Sequence, residues 1–265
     1  DAMGRTTVFT YDDMGRLHNR VLPGSQSESF SYDINGNILS HADFNGDTTT
    51  FEYDTVNRMT KKIFHDNTIQ TFTYTSGGQR ASVTDTSGTT TYEYDNRGRQ
   101  VKINNPGGTF VAYKYDANGN QITVTTPQMT TSYEYDVLNR MVGVTDSIGT
   151  TQYTYDTVGN RTSVTYPNGT ITEYTYDTLN RLTKIVNKRT DGTVISSYAY
   201  TLDATGKRTK VVENSGRTVE YAYDNLSRLV KEKITDPAHV NKEISYIYDL
   251  VGNRLKKIED GVEIT

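Results

Sequence analysis

The sequence predicts an all-β protein: an antiparallel meander of repeated β-hairpins, about 21 residues per repeat, coiled into a spiral sheet or shell wall. Three observations predict it. The motif aromatic-x-Tyr-Asp-x-x-Gly/Asn recurs twelve times in phase, counting one degenerate copy. A second turn signal falls roughly midway between successive copies. No stretch carries the 3.6-residue periodicity of a helix.

The motif explains itself chemically. Aromatics at i and i+2 lie on one face of a strand. The Asp that follows accepts hydrogen bonds from the backbone two residues on, which starts a turn. A Gly or Asn three places after the Asp enters the left-handed region at little cost. Together they specify a type I turn closed by a left-handed residue, a common hairpin connection.

The motif tyrosines are Tyr11, Tyr32, Tyr53, Tyr74, Tyr94, Tyr115, Tyr135, Tyr155, Tyr176, Tyr223 and Tyr248, and Leu202 takes the place in the degenerate copy. The aspartates are Asp12, Asp33, Asp54, Asp95, Asp116, Asp136, Asp156, Asp177, Asp203, Asp224 and Asp249. The left-handed position falls on Gly15, Gly36, Asn57, Gly78, Gly98, Gly119, Asn139, Gly159, Asn180, Gly206, Ser227 and Gly252. Ser227 is the exception in type and is expected to be the more strained. Steps between tyrosines are 20 or 21 residues, except 26 before Leu202 and 25 before Tyr248, which imply short loop insertions.

The midway turns include Asn45-Gly46, Ser87-Gly88, Gly107-Gly108, Ile148-Gly149, Asn168-Gly169, Asp191-Gly192 and Ser215-Gly216. Such pairs between alternating runs are hairpin signals. Between the turns lie β-formers such as Thr170 to Tyr176. Twelve repeats therefore give roughly two dozen strands. At about 4.8 Å apart they would make a flat sheet on the order of 110 Å wide, and sheets that wide curl, split or close. Residues 1–265 read as a single array, continuous with further repeats of a parent protein, because Asp1-Ala2-Met3-Gly4-Arg5 looks like a turn without its Tyr.

Composition narrows the class. Only 34% of the chain is hydrophobic, and 21 tyrosines without a tryptophan carry much of the apolar area. Tyrosine suits half-wet surfaces. The net charge of −4 has no basic stripe to suggest nucleic acid, and no apolar run is long enough for a membrane span. Cysteine is absent, so disulfides and thiolate metal sites are excluded.

The copies Tyr53-Asp54-Thr55-Val56-Asn57-Arg58, Tyr94-Asp95-Asn96-Arg97-Gly98-Arg99 and Tyr176-Asp177-Thr178-Leu179-Asn180-Arg181 resemble YD repeats. Such repeats belong to bacterial Rhs proteins, the C component of insecticidal Tc toxins, and teneurins. The resemblance covers essentially the whole chain. It implies a sheet spiralling into a hollow shell that encloses a toxin, or an extracellular scaffold, in a secreted or surface-exposed bacterial protein. The implied partners are other YD repeats of the parent chain or neighbouring copies, a toxin cargo, or glycans. The Rhs self-cleavage motif has no counterpart: Asp236-Pro237 is followed by Ala238-His239.

No residue is assigned a catalytic, metal or cofactor role. A periodic Asp ladder supplies like environments, whereas an acid–base pair needs unlike ones. One Asp per turn is too few for calcium. The arginines after the turn, Arg16, Arg58, Arg99, Arg140, Arg181 and Arg228, could line an anion track, but the expectation is that each stacks on a neighbouring tyrosine or pairs with an Asp. Tyrosine rows could stack on sugars in a glycan-binding or cell-surface adhesion module. The structural alternative is that they zip neighbouring hairpins through aromatic pairs. His18, His41, His65 and His239 share no ligand spacing. The sequons at Asn160, Asn168 and Asn225 match the glycosylation pattern. Those at Asn160 and Asn225 are discounted because they fall on turns.

An isolated meander has two edge strands with unpaired backbone groups. The run Thr6-Thr7-Val8-Phe9-Thr10-Tyr11 carries neither charge nor proline, while Leu255 to Glu259 is charged. Unlike ends predict head-to-tail self-assembly through added β-pairing, and light scattering that finds only monomer at every concentration would contradict it. The turn chemistry yields a stability prediction. Gly159→Val should lower the melting temperature more than Val158→Ala, because a β-branched residue at positive φ is strained by roughly 1–3 kcal/mol. Equal melting temperatures would refute the turn assignment.

Overall fold

A computed structural model describes residues 4–264. Asp1, Ala2 and Met3, to which part of the opening motif was assigned, lie outside the described residues. The chain falls into two compact units, Asp1–Thr130 and Thr131–Thr265. Each is a run of antiparallel hairpins in chain order, and the described residues form 25 strands in all. The one helical stretch among them is a three-residue 3-10 turn, Pro106–Gly108.

One repeat shows why these residues fold this way. The strand Thr150–Tyr155 pairs with Arg161–Thr165, which pairs with Ile171–Tyr176. Between the first two, the Gly159 N–H donates to the Asp156 carbonyl (3.2 Å) and the Asp156 N–H donates to the Asn160 carbonyl (2.9 Å). All twelve predicted turn positions hold positive φ, Ser227 included at 63°. Beside each of these turns the register slips by one residue, so Thr154 faces Ser163 while Tyr155 faces Arg161. This slip is a β-bulge, which locally raises the twist.

The opposite rim repeats the same turn, as at Tyr166–Thr170, where the Tyr166 N–H donates to the Thr170 carbonyl (2.9 Å). Three turns there are one residue tighter. Asp146 N–H donates to Gly149 O (3.0 Å), Thr126 N–H donates to Met129 O (2.8 Å), and Asp85 faces Gly88 directly. These three sit in the three 20-residue steps, so the drift between 20 and 21 is turn length at the far rim. The expectation of a loop insertion before Leu202 is corrected. The strands Leu182–Lys188 and Val194–Leu202 lengthen and keep the five-residue turn, with Asn187 facing Ser196 and Lys188 facing Val194. The added residues extend the ladder because each still finds a cross-strand partner.

Within each unit the strands pack only on their chain neighbours, so the units are one layer deep. Thr151, Tyr153 and Tyr155 are half-buried while Thr150, Gln152 and Thr154 are exposed. Tyr153, Val164 and Thr172 therefore share a face, and Thr154, Ser163 and Glu173 share the other. Thr154 Oγ1 and Ser163 Oγ lie 2.7 Å apart on that polar face. Among the described residues only Val164, Val211 and Val219 are buried hydrophobics, at 3%, 7% and 4% exposure.

Glycine does a second job on the far rim. A Cβ on Gly149 (φ 142°) would sit 2.8 Å from Cβ of Pro167 in the next turn, and one on Gly88 would sit 2.9 Å from Pro106. A Cβ on Gly159 would meet nothing within 4 Å. Both glycines carry positive φ, so replacing each by Ala separates strain from space. Gly149→Ala should cost more than Gly159→Ala by about 1–3 kcal/mol, read as a lower urea midpoint, and Pro167→Ala should restore part of it. Equal midpoints would show that the proline contact carries no weight.

Candidate functional site

The feature built most consistently from the motif residues is the joint between successive repeats. At the first one, Asp12 Oδ1 accepts the N–H groups of Met14 (3.0 Å) and Arg16 (2.9 Å). Its Oδ2 accepts Arg16 Nε at 2.7 Å. Arg16 then reaches into the next repeat, where Nη1 donates to the Asp33 carbonyl (2.8 Å) and the guanidinium lies 4.6 Å over the Tyr32 ring. The Tyr32 hydroxyl returns across the gap and donates to the Leu17 carbonyl (2.8 Å). Leu17 lies beyond the last ladder pair between its strand and the next, Asn19 with Ser29, so the hydroxyl occupies a carbonyl the ladder leaves over.

The joint recurs with its predicted members. Arg58 covers Tyr74, Arg99 covers Tyr115, Arg140 covers Tyr155 and Arg228 covers Tyr248, all with centroid distances of 4.5 to 4.9 Å. Tyr53, Tyr74, Tyr94, Tyr115, Tyr155, Tyr176, Tyr223 and Tyr248 each donate to the carbonyl of a preceding repeat. Tyr135 ends the strand Thr130–Tyr135, and Tyr11 ends the first strand with 62% exposure. Asn takes the place of Arg after Asp33, Asp116, Asp156 and Asp249, donating to the same carboxylate oxygen. Asn37 and Asn160 also donate to the next repeat's Asn57 and Asn180 (2.8 and 2.9 Å).

Two joints are incomplete. Thr75 replaces Asp, and Gln79 Nε2 reaches the Gly98 carbonyl at 3.0 Å instead. Leu202 has no hydroxyl, but Arg181 still donates to the Asp203 carbonyl (2.9 Å). At Asp203 itself the partner is Lys207, which reaches Ser227 Oγ at 3.1 Å.

The expected aromatic zipper is corrected. The one stacked ring pair among the described residues is Phe30 with His41, at 4.5 Å. The tyrosines are joined through arginine and through their hydroxyls, because the arginine, anchored by its Asp, already occupies a ring face. His41, given no role from sequence, also faces Glu28 at 3.4 Å, and Arg20 bonds Glu28 at 2.7 Å. Glu28 is only 8% exposed. A Glu inside an alternating strand gives no sequence signal for this cluster.

The electrostatics follow the geometry. Asp12, Asp54, Asp136, Asp177 and Asp224 are held below the usual carboxylate range, first by the N–H of the Arg four residues on, against desolvation, and then by that Arg's side chain. Asp33, Asp116 and Asp249 are lowered first by the Asn side chain. At Asp95 and Asp156 the leading influence is desolvation, which pushes upward and is outweighed by the hydrogen bonds of Arg99 and Asn160. Tyr246 is pushed up to about 12, first by its hydrogen bond to Glu232 (2.6 Å).

A lowered carboxylate stabilises the fold in its charged form. Its contribution is complete above the ordinary aspartate value and is lost as pH falls through the lowered one. Asp136→Asn should therefore lower the melting temperature at neutral pH, and the gap to the parent chain should close as pH falls below the ordinary aspartate value and through the lowered one. A gap that persists in acid would place the effect in packing rather than charge.

Among the described residues no group of three or more His, Asp or Glu is placed to hold a metal ion. No helix among them is long and apolar enough to cross a membrane.

Comparison with known proteins agrees with this construction. A family model described as teneurin YD-shell matches residues 3–123 and 122–257. No curated protein matches the chain. Among solved structures, the chain is similar to the TcdB2-TccC3-TEV complex, at 19% identity over 96% of this chain and 16% of that one, with a TM-score of 0.67. It is similar to TcdB2-TccC3-Cdc42 at 18% identity over 97% of this chain and 18% of that one, with a TM-score of 0.65. A Photorhabdus luminescens Tc holotoxin pore matches at 17% identity over 98% of this chain and 17% of that one, with a TM-score of 0.51. The chain thus spans less than a fifth of each of these structures.

Proposed function

From membership of the teneurin YD-shell family, to which this chain belongs, we infer that its repeats wall off a compartment holding a toxin cargo in a secreted or surface-exposed protein. The shell role is structural. The chain is a non-enzymatic length of wall, and its partners are further repeats on either side and the cargo behind it. One observation carries this reading: most motif residues that look available for chemistry are spent on joints, with Tyr11 at the first strand an exception. The Asp carboxylates and the Arg guanidinium groups bond backbone or one another, and nine Tyr hydroxyls bond backbone carbonyls. The similarity of the fold to the Tc complexes supports a shell over an isolated adhesin.

The test uses the secreted protein that carries this chain. Its cargo should resist protease while the wall is intact, and should be cut once Arg140→Ala and Arg181→Ala open two joints. Cargo equally accessible in the native protein would overturn the enclosure. The 265-residue chain alone should keep its mass of 29.8 kDa on prolonged incubation, and spontaneous fragments would overturn the non-enzymatic reading.

A further inference from the structure

The repeat tyrosines are poor sugar platforms, because their hydroxyls are already committed to backbone carbonyls, as Tyr155 is to Met141. The far rim of the first unit offers something different. Where a glycine of one turn meets a proline of the next, as at Gly88 with Pro106, the gap between neighbouring turns is filled. Between the turns Asp43–Asp47 and Phe64–Thr68 there is no such proline, and a Cβ on Gly46 would meet nothing within 4 Å. A solvent-open cleft of about 510 Å³ remains there.

Its lining is unlike the joints. Phe64 supplies an aromatic ring, Asp47 and His65 stand 3.9 Å apart, and Thr48, Thr50 and Asn67 complete the wall. The side chains of Thr48, Thr50 and Asn67 make no hydrogen bond within the described residues. Elsewhere on this rim hydroxyls pair off, as Thr84 with Thr89 and Thr145 with Thr150, both at 2.9 Å. Thr48 faces Ala42, so its hydroxyl has no such neighbour. Lys62 Nζ lies 4.3 Å over the Phe64 ring.

We propose that this cleft binds a neutral pyranose sugar. An aromatic ring stacks on the apolar face of a pyranose, while a carboxylate, an amide and hydroxyls satisfy its ring of OH groups. Asp43, Asp47 and Asp66 crowd the two turns, which disfavours an anionic sugar. The proposal is independent of the shell reading, since a wall with or without cargo can carry a sugar site on its rim.

The experiment is saturation-transfer NMR on the 265-residue chain with glucose, galactose, mannose and lactose, and with sialyllactose as the anionic comparison. At least one neutral sugar should bind with a Kd on the order of 1 mM. Phe64→Ala and Asp47→Asn should each weaken binding about tenfold or more, and Tyr155→Phe should leave it unchanged. Asp47→Asn is the deciding variant, because the Asp47 side chain is about half exposed and its one ion pair is the exposed one to His65. No signal from any neutral sugar, an equal signal from sialyllactose, or full binding in Asp47→Asn would overturn the proposal.

Discussion

The structure depends on one constraint: a sheet one layer deep has no core to hold it. Three buried valines among the described residues cannot do what the packed interior of a globular domain does. The stabilising contacts must therefore run along the sheet, from each hairpin to the next. Main-chain ladders supply most of them. The Asp–Arg–Tyr joint adds to them, and it does so at the turns, where the ladder ends and carbonyls would otherwise be left to water. Each of its bonds is modest. An exposed ion pair contributes little alone, and a typical hydrogen bond contributes about 0.5–1.5 kcal/mol. The gain lies in coupling, since one arginine is fixed by its own Asp before it reaches its neighbour's ring and carbonyl.

This arrangement explains what sequence could and could not reveal. The hairpins were legible because their turns have local causes. Asp156 and Gly159 act within four residues of each other, so both the Asx bonds and the left-handed position can be read from one copy. Arg16 and its equivalents were legible in part. Stacking on tyrosine and pairing with Asp were foreseen as alternatives, whereas the same guanidinium does both at once. The Tyr32 hydroxyl's reach to Leu17 was not legible, because it depends on which carbonyl the ladder leaves unpaired. The Gly149–Pro167 contact was hidden for a similar reason: the two residues are ordinary turn formers until the next turn is placed against the first.

The added residues before Leu202 were illegible for the same reason. A longer step signals extra chain but not whether that chain pairs. Strand extension wins here because Asn187 and Ser196 bond across the ladder, with Asn187 Nδ2 donating to Ser196 Oγ at 2.8 Å, and Thr172 Oγ1 donates to Asn187 Oδ1 at 2.7 Å. Loop residues would have left those polar groups without partners in a half-buried setting, at a cost.

Concentrating the joints at one rim also frees the rest of the wall. On the face shared with the tyrosines, the mid-strand row is polar early in the chain, with Arg20, Glu28, His41 and Lys62, and apolar later, with Val144, Val164 and Val211. A packed core would not tolerate that change, because charge without a partner in an interior is expensive. A single layer tolerates it, since each side chain needs only its cross-strand neighbours. Glu28 meets that need with Arg20 and His41. The same freedom applies at the far rim, where turns differ in length and in whether a proline fills the gap. Variation in a YD wall should therefore collect on its faces and far rim, and it is there, away from the Asp–Arg–Tyr joints, that one stretch of wall can acquire a surface its neighbours lack.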